Sequence, residues 1–202
     1  MSEQIPELAG TKLTDKGWYK SGREAYYEMA LKVLSCAKEF LYCCAKTPTL
    51  FGMHRERQSC YRELFYQFGR IKADEGLNIK YICSYPHYEK EMLTVAKVDP
   101  KLSVTDINEM LKFGRKPNVH IRFDSNGGFD SHIISDEWVA LPASKTPDKS
   151  GVFKSSSAML IQGKSVLGFK DSFEQYWDYL DGHDNTDRIL RLKEKLESLL
   201  PQ

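Results

Sequence analysis

Two histidines, each followed four residues later by an aspartate, lie on either side of a glycine-rich turn. His120 precedes Asp124 and His132 precedes Asp136, and Arg122 lies within the first pair. Imidazole changes its charge near neutral pH, and a planar guanidinium binds phosphate or carboxylate through two parallel hydrogen bonds. These residue types suit a site in which Arg122 holds an anion while the histidines and aspartates orient it, with or without a divalent metal.

The same pattern also fits a solvated face of a β-sheet. The Ser-Asn-Gly-Gly sequence at 125–128 favours a tight reversal, so residues 119–124 and 129–135 are expected to pair as antiparallel neighbours. Strand alternation then separates a polar face from an apolar face made of Ile121, Phe123, Phe129 and Ile133. The polar face would carry His120, Arg122, Asp124, Asp130, His132 and Asp136. Cross-strand ion pairs alone would account for such a face, and both interpretations stay open.

Ser84 and His87 form a second group of candidate ligands, because they follow a predicted strand. In open α/β sheets, ligands gather beyond the carboxyl ends of the parallel strands, which here are residues 47–49, 84–87 and 124–125. His54 and His87 fall near the starts of the following helices, where the helix dipole favours anions. The predicted ligand-binding residues are His120, Arg122, Asp124, His132, Asp136, Ser84 and His87.

The first half of the chain alternates between predicted strands and helices. Strand patterns cover 40–46, 77–86 and 118–124, and the apolar run at 40–46 is typical of a central strand buried on both faces. Helical patterns cover 22–38, after a capping box of Ser21 and Glu24, and 54–74. Residues 87–116 predict a helical region that Pro100 interrupts and that Ser103 and Asp106 restart with a second capping box.

The second half begins with consecutive strands and ends with two helices. A polar loop at 144–156 is predicted to separate two of the strands and to be the most mobile segment. An aromatic helix with Phe173 and Trp177 on one stripe is predicted to end at Gly182. The last helix places Ile189, Leu192, Leu196 and Leu199 at 3-4-3 spacing. This seam predicts a homodimer.

Composition narrows the class of protein. The chain has 202 residues, with 29 Lys and Arg against 28 Asp and Glu, so a net charge of +1 provides no global field that steers it to nucleic acid or an anionic membrane. A polar beginning and the absence of any long apolar run predict a cytoplasmic protein without a transmembrane segment. Its five cysteines lack zinc-site spacing and are expected to be reduced core residues, with no metal or other cofactor.

The layout of these elements resembles one repeat of the phospholipase D-like superfamily. The similarity covers about residues 22–181 and includes a terminal helix ending in Phe-Glu-Gln-Tyr-Trp-Asp-Tyr-Leu. It implies an α/β fold with a mixed sheet flanked by helices and a C-terminal helical extension. The implied division is an N-terminal arm at 1–21, the phospholipase D-like domain at 22–182 and a C-terminal helix at 183–202.

The His-x-Lys-x4-Asp signature of that superfamily is degenerate in this sequence. Aligning Asp136 with the family aspartate puts Phe129 at the place of the nucleophilic histidine and Ser131 at that of the lysine. A start from His132 or His120 does not restore the triad either. The family mechanism needs a histidine that forms a phosphohistidine, a second histidine as general acid, and lysines that hold the phosphate.

The sequence therefore favours a non-catalytic phospholipase D-like module that binds an anionic ligand in a cleft. That ligand would be a phosphate-containing small molecule, a nucleotide or a partner, and nucleic acid stays possible. One alternative is a diverged phosphodiesterase or nuclease that is active as a homodimer. Another is an interaction scaffold. Whether the chain is an enzyme stays open, and the degenerate motif inclines the expectation towards no activity.

Overall fold

A computed structural model of the chain describes residues 3–4, 16–22, 24–46, 60–147, 153–180 and 186–200. In this part of the chain, eight strands form one sheet and six helices pack around it. The helices are α1 (Ala25–Cys36), α2 (Cys60–Asp74), α3 (Tyr85–Ala96), α4 (Pro100–Gly114), α5 (Ser165–Tyr179) and α6 (Thr186–Glu197). The strands are β1 (Glu3–Gln4), β2 (Lys16–Ser21), β3 (Phe40–Ala45), β4 (Asn78–Ser84), β5 (Val119–Asp124), β6 (His132–Ser135), β7 (Trp138–Pro147) and β8 (Phe153–Gln162).

The sheet is mixed, as predicted, with the order β1-β2-β8-β7-β6-β3-β4-β5. Strands β3, β4 and β5 are parallel, because each is joined to the next by helices that cross over the sheet. The remaining neighbours are antiparallel, and β3 lies between a parallel partner, β4, and an antiparallel one, β6. The predicted α/β class, with a mixed sheet flanked by helices and a helix at the C-terminal end, is confirmed.

Each face of the sheet carries its own apolar core. One face packs against α1, α2, α3, α4 and α6, and the other packs against α5 through Phe173 and Trp177. Strand β3 contributes to both cores, with Leu41 and Cys43 on the first and Tyr42 and Cys44 on the second. The interpretation of 40–46 as a central strand buried on both faces is therefore confirmed.

The predicted antiparallel pairing of 119–124 with 129–135 is wrong. Among the described strands, β5 is at the edge of the sheet and has β4 as its one partner, whereas β6 pairs with β3 and β7. The chain after β5 crosses β4 and β3 before it re-enters the sheet as β6. The Gly-rich sequence at 125–128 therefore belongs to a crossover loop and does not form a two-residue hairpin turn. Phe129 packs against the core under α5, on the opposite side of the sheet from Phe123 and Ile133.

Both predicted capping boxes are also wrong. Helix α1 has Glu24 at its N-cap without a side-chain cap, and Ser21 belongs to β2. The helical region is interrupted next to Pro100, as predicted, but α4 restarts at Pro100 itself and not at Ser103. Asp99 caps α4 by accepting a hydrogen bond of 3.0 Å from the Leu102 amide. Proline is favoured in the first turn of a helix because its missing N–H would have no partner there. Ser103 donates instead to the Met92 carbonyl and ties α4 to α3.

The sheet is larger than the sequence predicts. Strands β7 and β8 pair from Trp138–Gln162 as far as Pro147–Phe153, so most of the predicted polar loop at 144–156 is a long hairpin. A register irregularity near Ser144 accompanies this extension. Residues of the expected N-terminal arm add β2 to the free edge of β8 and β1 to β2. The domain limits themselves stay predictions.

The apolar seam of the last helix is buried within the chain. Ile189, Leu192 and Leu196 belong to the core on the α1 face, and α6 contacts α4 and α3. Leu199 alone of the four seam residues is exposed, at 49%. The seam that motivated the homodimer is thus already covered, and the homodimer stays a prediction without that support.

Several predicted features lie outside the described residues, namely 47–49, His54 and Gly182. In the described parts of the chain, no helix combines the length and apolarity that crossing a membrane requires.

Candidate anion-binding site

Ser84 and His87 come together where β4 ends and α3 begins. Ser84 is the N-cap of α3 and is fully buried, and its Oγ lies 2.7 Å from Nδ1 of His87. This hydrogen bond replaces the usual cap, because the Ser84 side chain makes no bond to the helix backbone. The imidazole is therefore fixed over the first turn of α3 while its outer edge stays exposed. Sequence reasoning named both residues, and the structure pairs them.

The loop after β5 closes over this pair. Asp124 lies opposite Ser84 in the parallel register, and its carboxylate accepts hydrogen bonds from the backbone amides of Asn126 and Gly127. Gly127 has a φ of +64°, and a Cβ there would lie 3.2 Å from the Ser84 Cβ and would overlap sterically with its Oγ. Asp124 thus shapes the loop, and the absence of a side chain at Gly127 makes room for the Ser84–His87 pair.

The charges of two lysines act on His87. Burial lowers the pKa of His87 below its usual value, and the charges of Lys46 and Lys90 lower it further. Lys46 directly follows β3, and Lys90 is one turn beyond His87 on α3. The positive end of the α3 dipole acts in the same direction. At the carboxyl ends of β3 and β4, two positive charges therefore act on a neutral imidazole.

Aromatic side chains border the same edge of the sheet. Tyr176 of α5 hydrogen-bonds to the Asp124 carboxylate, and burial together with this bond raises the pKa of Tyr176. Its ring stacks on that of Tyr179, with centroids 6.3 Å apart, and meets Phe129 edge-on at 6.1 Å. Tyr179 is 59% exposed. A flat aromatic surface thus adjoins the Asp124 loop.

Arg122 is committed to contacts within the chain. Its guanidinium carbon lies 4.2 Å from the centroid of the Trp177 ring, and Nη1 donates to the Trp177 carbonyl oxygen. A cation that stacks on an aromatic ring and also binds a helix carbonyl fixes that helix. The contacts of Arg122 therefore attach the edge strand β5 to α5.

His132 shares a cross-strand row with Arg122 but is separated from it by Cys44 and Ile82. Its Nδ1 lies 3.0 Å from the Asp130 carbonyl, and its ring meets Phe173 edge-on. Burial lowers the pKa of His132, although the bond to Asp130 partly offsets this effect. The imidazole is thus neutral near pH 7 and packs beside α5.

The remaining two predicted site residues lie apart from Ser84 and His87. Asp136 is at the opposite end of the strands, where its carboxylate accepts hydrogen bonds from the backbone amides of Lys38 at 2.7 Å and Glu39 at 3.1 Å. It holds the turn that enters β3. His120 is exposed on the edge strand β5, in the row of Lys80. The structure therefore brings Ser84, His87 and Asp124 together and leaves the other four elsewhere.

Sequence reasoning missed the charged residues around these sites. Lys80 lies on the α5 face of β4, where it forms an ion pair with Glu174 and approaches the rings of Tyr42 and Trp177. A lysine within an otherwise apolar strand was an available signal for this network. Lys46 at a strand end and Lys90 three residues after His87 were available signals for the anion site.

The structure describes the burial of four cysteines and the grouping of side chains that could bind a metal. Burial raises the pKa of the thiols of Cys43, Cys44 and Cys83, as expected for core residues. Cys36 is half-buried, and the side chain of Cys60 lies outside the described residues. Within the described ranges, no three His, Cys, Asp or Glu side chains are grouped so that they could hold a metal ion.

Comparison with known proteins gives similarities of structure only. No family model and no curated protein matches the sequence. TrmBL2, an archaeal chromatin protein with a novel mode of DNA binding, has a TM-score of 0.50 and 14% identity over 86% of this chain and 52% of its own. This chain thus spans about half of that protein.

Two further similar structures have TM-scores below that value. Nuc, a phospholipase D family member from Salmonella typhimurium, has a TM-score of 0.48 and 14% identity over 80% of this chain and 95% of its own. NucT from Helicobacter pylori has a TM-score of 0.49 and 14% identity over 81% of this chain and 96% of its own. At such identities, the likenesses concern the fold alone.

Proposed function

We propose that this chain is a phospholipase D-like module that binds a phosphate-containing small molecule at the carboxyl ends of β3 and β4. The observation that carries the proposal is the Ser84–His87 hydrogen bond, which fixes the imidazole at the first turn of α3, where the charges of Lys46 and Lys90 also act on it. Phosphate oxygens accept hydrogen bonds from imidazole, ammonium and helix amides, and His87, Lys90 and the start of α3 offer these kinds of donor.

Each residue has a separate role in this proposal. His87 donates from its exposed Nε2 when Ser84 donates to Nδ1, and the two lysines neutralise the charge of the bound phosphate. Asp124 acts indirectly, because its carboxylate is used by the Asn126 and Gly127 amides and by Tyr176. Arg122 is left out of the binding site, because Trp177 already engages its guanidinium.

The neighbouring aromatic surface supports a ligand that carries a ring as well as a phosphate. Tyr179 is exposed and backed by Tyr176, so a nucleobase or sugar ring has a flat surface beside the Asp124 loop. A stacked base contributes about 1–3 kcal/mol on such a surface. A nucleotide is therefore one member of the proposed ligand class.

The proposal is tested by calorimetric titration with phosphate, AMP and glucose 6-phosphate, with adenosine and glucose as uncharged partners. Phosphorylated ligands should bind, and their uncharged partners should bind at least tenfold more weakly. His87→Ala and Lys90→Met should each weaken phosphate-ester binding about tenfold, since a charge-assisted hydrogen bond contributes about 1.5–3 kcal/mol. Lys97→Met, which removes an exposed lysine at the other end of α3, is the matched control and should leave affinity unchanged.

Two outcomes would reject the binding site. Either none of the phosphates binds at millimolar concentration, or the His87 and Lys90 variants bind as tightly as the parent. If Arg122→Leu abolishes phosphate binding at unchanged stability, the anion-binding site is instead at Arg122 on β5. The protein is a phosphodiesterase instead if it hydrolyses bis-(p-nitrophenyl) phosphate and a substitution of His87, His120 or His132 abolishes that activity.

A further inference from the structure

A concave surface lies at the other end of the sheet order, away from β4 and β5. It is a groove of about 720 Å³ between α1, α2 and the strands β2, β7 and β8. Cavities of this size commonly hold drug-sized molecules. None of the residues proposed to bind phosphate lines it, so this groove is independent of the function proposed above.

The floor of the groove is apolar and aromatic. Trp18 of β2 and Trp138 of β7 stand side by side, with ring centroids 5.4 Å apart. Met29 and Leu160 complete the floor, and Phe68 of α2 forms one wall while being 39% exposed. Indole rings bury large apolar area at small entropic cost, so this concave surface favours an apolar chain or ring over water.

The charges on the rim do not cancel. Lys20 and Glu28 form an ion pair with each other, which leaves Lys32 as the third charged side chain of the lining. The Lys32 ammonium lies 5.5 Å from the centroid of the Trp138 ring, and in the described parts of the chain no carboxylate forms an ion pair with it. The groove therefore combines an apolar floor with one uncompensated positive charge at its rim.

We propose that this groove binds a small amphipathic anion, in which a carboxylate is attached to an apolar chain or ring. The apolar part lies over Trp18 and Trp138, and the carboxylate pairs with Lys32. Charge complementarity selects this class over a neutral apolar molecule, because Lys32 remains as a cation for a single anionic group once Glu28 is paired with Lys20. The size of the groove fits a medium-length acyl chain.

The test uses decanoate as the probe and decanol as its uncharged counterpart of equal chain length. The chain has three tryptophans, two of which line the groove, so Trp177→Phe leaves intrinsic fluorescence that reports on the groove alone. Calorimetric titration of the unmodified chain provides the same affinity without any substitution. Decanoate is expected to bind at micromolar concentration and to shift the tryptophan emission.

Substitutions of Lys32 separate the charge from the apolar surface. Lys32→Met should weaken decanoate binding at least fivefold while changing decanol binding less than twofold, and Lys32→Arg should restore the affinity for decanoate. Lys112→Met on α4, which removes an exposed lysine elsewhere, is the matched control and should bind decanoate normally. Because Lys32 is a surface residue of α1, thermal unfolding of each variant should match that of the parent.

Three results would overturn the inference. The first is no binding of decanoate at millimolar concentration. The second is an equal effect of Lys32→Met on decanoate and decanol, which would leave the charge without a role. The third is a dimer in light scattering that Phe68→Ser dissociates and decanoate does not affect, which would assign the groove to a second copy of this chain. None of these results bears on phosphate binding at His87.

Discussion

The geometry of the Ser84–His87 site makes a quantitative prediction for Gly127→Ala. The backbone of Gly127 has a φ of +64°, which costs an alanine about 1–2 kcal/mol relative to glycine. The added Cβ would also lie 3.2 Å from the Ser84 Cβ and closer still to its Oγ. Ser84 is fully buried, and overpacking against a buried side chain costs about 1–3 kcal/mol. The free energy of unfolding should therefore fall by about 2–5 kcal/mol.

Urea unfolding at pH 7 measures this loss, and the chain provides matched controls. Gly76 has a φ of +90°, and no atom lies within 4 Å of the position that a Cβ would occupy there, so Gly76→Ala should show the backbone strain alone. Gly128→Ala has neither positive φ nor a close contact and should lie within about 0.5 kcal/mol of the parent. The difference between the Gly127 and Gly76 variants isolates the contact with Ser84.

A double variant identifies the atoms responsible. Ser84→Gly removes both serine atoms that an alanine at position 127 would meet, so adding Gly127→Ala to Ser84→Gly should cost only the backbone strain of about 1–2 kcal/mol. The phosphate affinity of Gly127→Ala should also fall, because the clash displaces the partner of His87. The reasoning is refuted if Gly127→Ala destabilises no more than Gly76→Ala, or if Ser84→Gly leaves its effect unchanged.

The remaining predictions concern α5, the thiols and pH. Arg122→Leu should lower the free energy of unfolding by about 1–3 kcal/mol, because the contacts with Trp177 are lost. His120→Gln on the same strand is the control and should be nearly neutral. Equal effects of the two substitutions would contradict the anchoring of α5 by Arg122. A thiol reagent should label half-buried Cys36 in the folded protein well before the fully buried thiols, and equally fast labelling of all would show that their burial is wrong. These slow thiols are Cys43, Cys44 and Cys83. The lowered pKa of His132 means that the unfolded chain binds more protons below about pH 6.5, so stability should fall as the pH drops through that value, and His132→Asn should make this fall smaller. Identical pH profiles for His132→Asn and the parent in urea unfolding would rule out a contribution from His132.

The order and type of most elements follow from local patterns in the sequence. The apolar run at 40–46 requires a strand that is covered on both sides, and β3 is in contact with both cores. The three- and four-residue apolar spacings of α1, α2 and α5 likewise require helices, because only that period brings those side chains to one face. Alternation between these elements then predicts parallel strands, whose carboxyl ends collect ligands. Ser84 and His87 were found by this rule alone.

The partners of each element were decided by tertiary structure. The Gly-rich sequence at 125–128 is compatible with a hairpin turn. However, β3 and β4 lie between β5 and β6 in the sheet, so β5 and β6 do not pair with each other. For this reason His120, Arg122 and His132 share a face without forming one site, and Asp136 lies at the opposite end of the strands. The seam of α6 is an equally local pattern, and it is satisfied by α3 and α4 of the same chain.

Side chains that act together can be far apart in the sequence. Lys46 and Lys90 are far apart in sequence, yet both charges act on His87 because β3 and β4 run parallel and end at the same edge. Trp18 and Trp138 become neighbours because β2 adds to β8 next to β7. Sequence periodicity determines which face of an element is apolar, since that depends on neighbouring residues alone. Which distant side chains share a site depends on strand order, and strand order is settled by the packing of the whole chain.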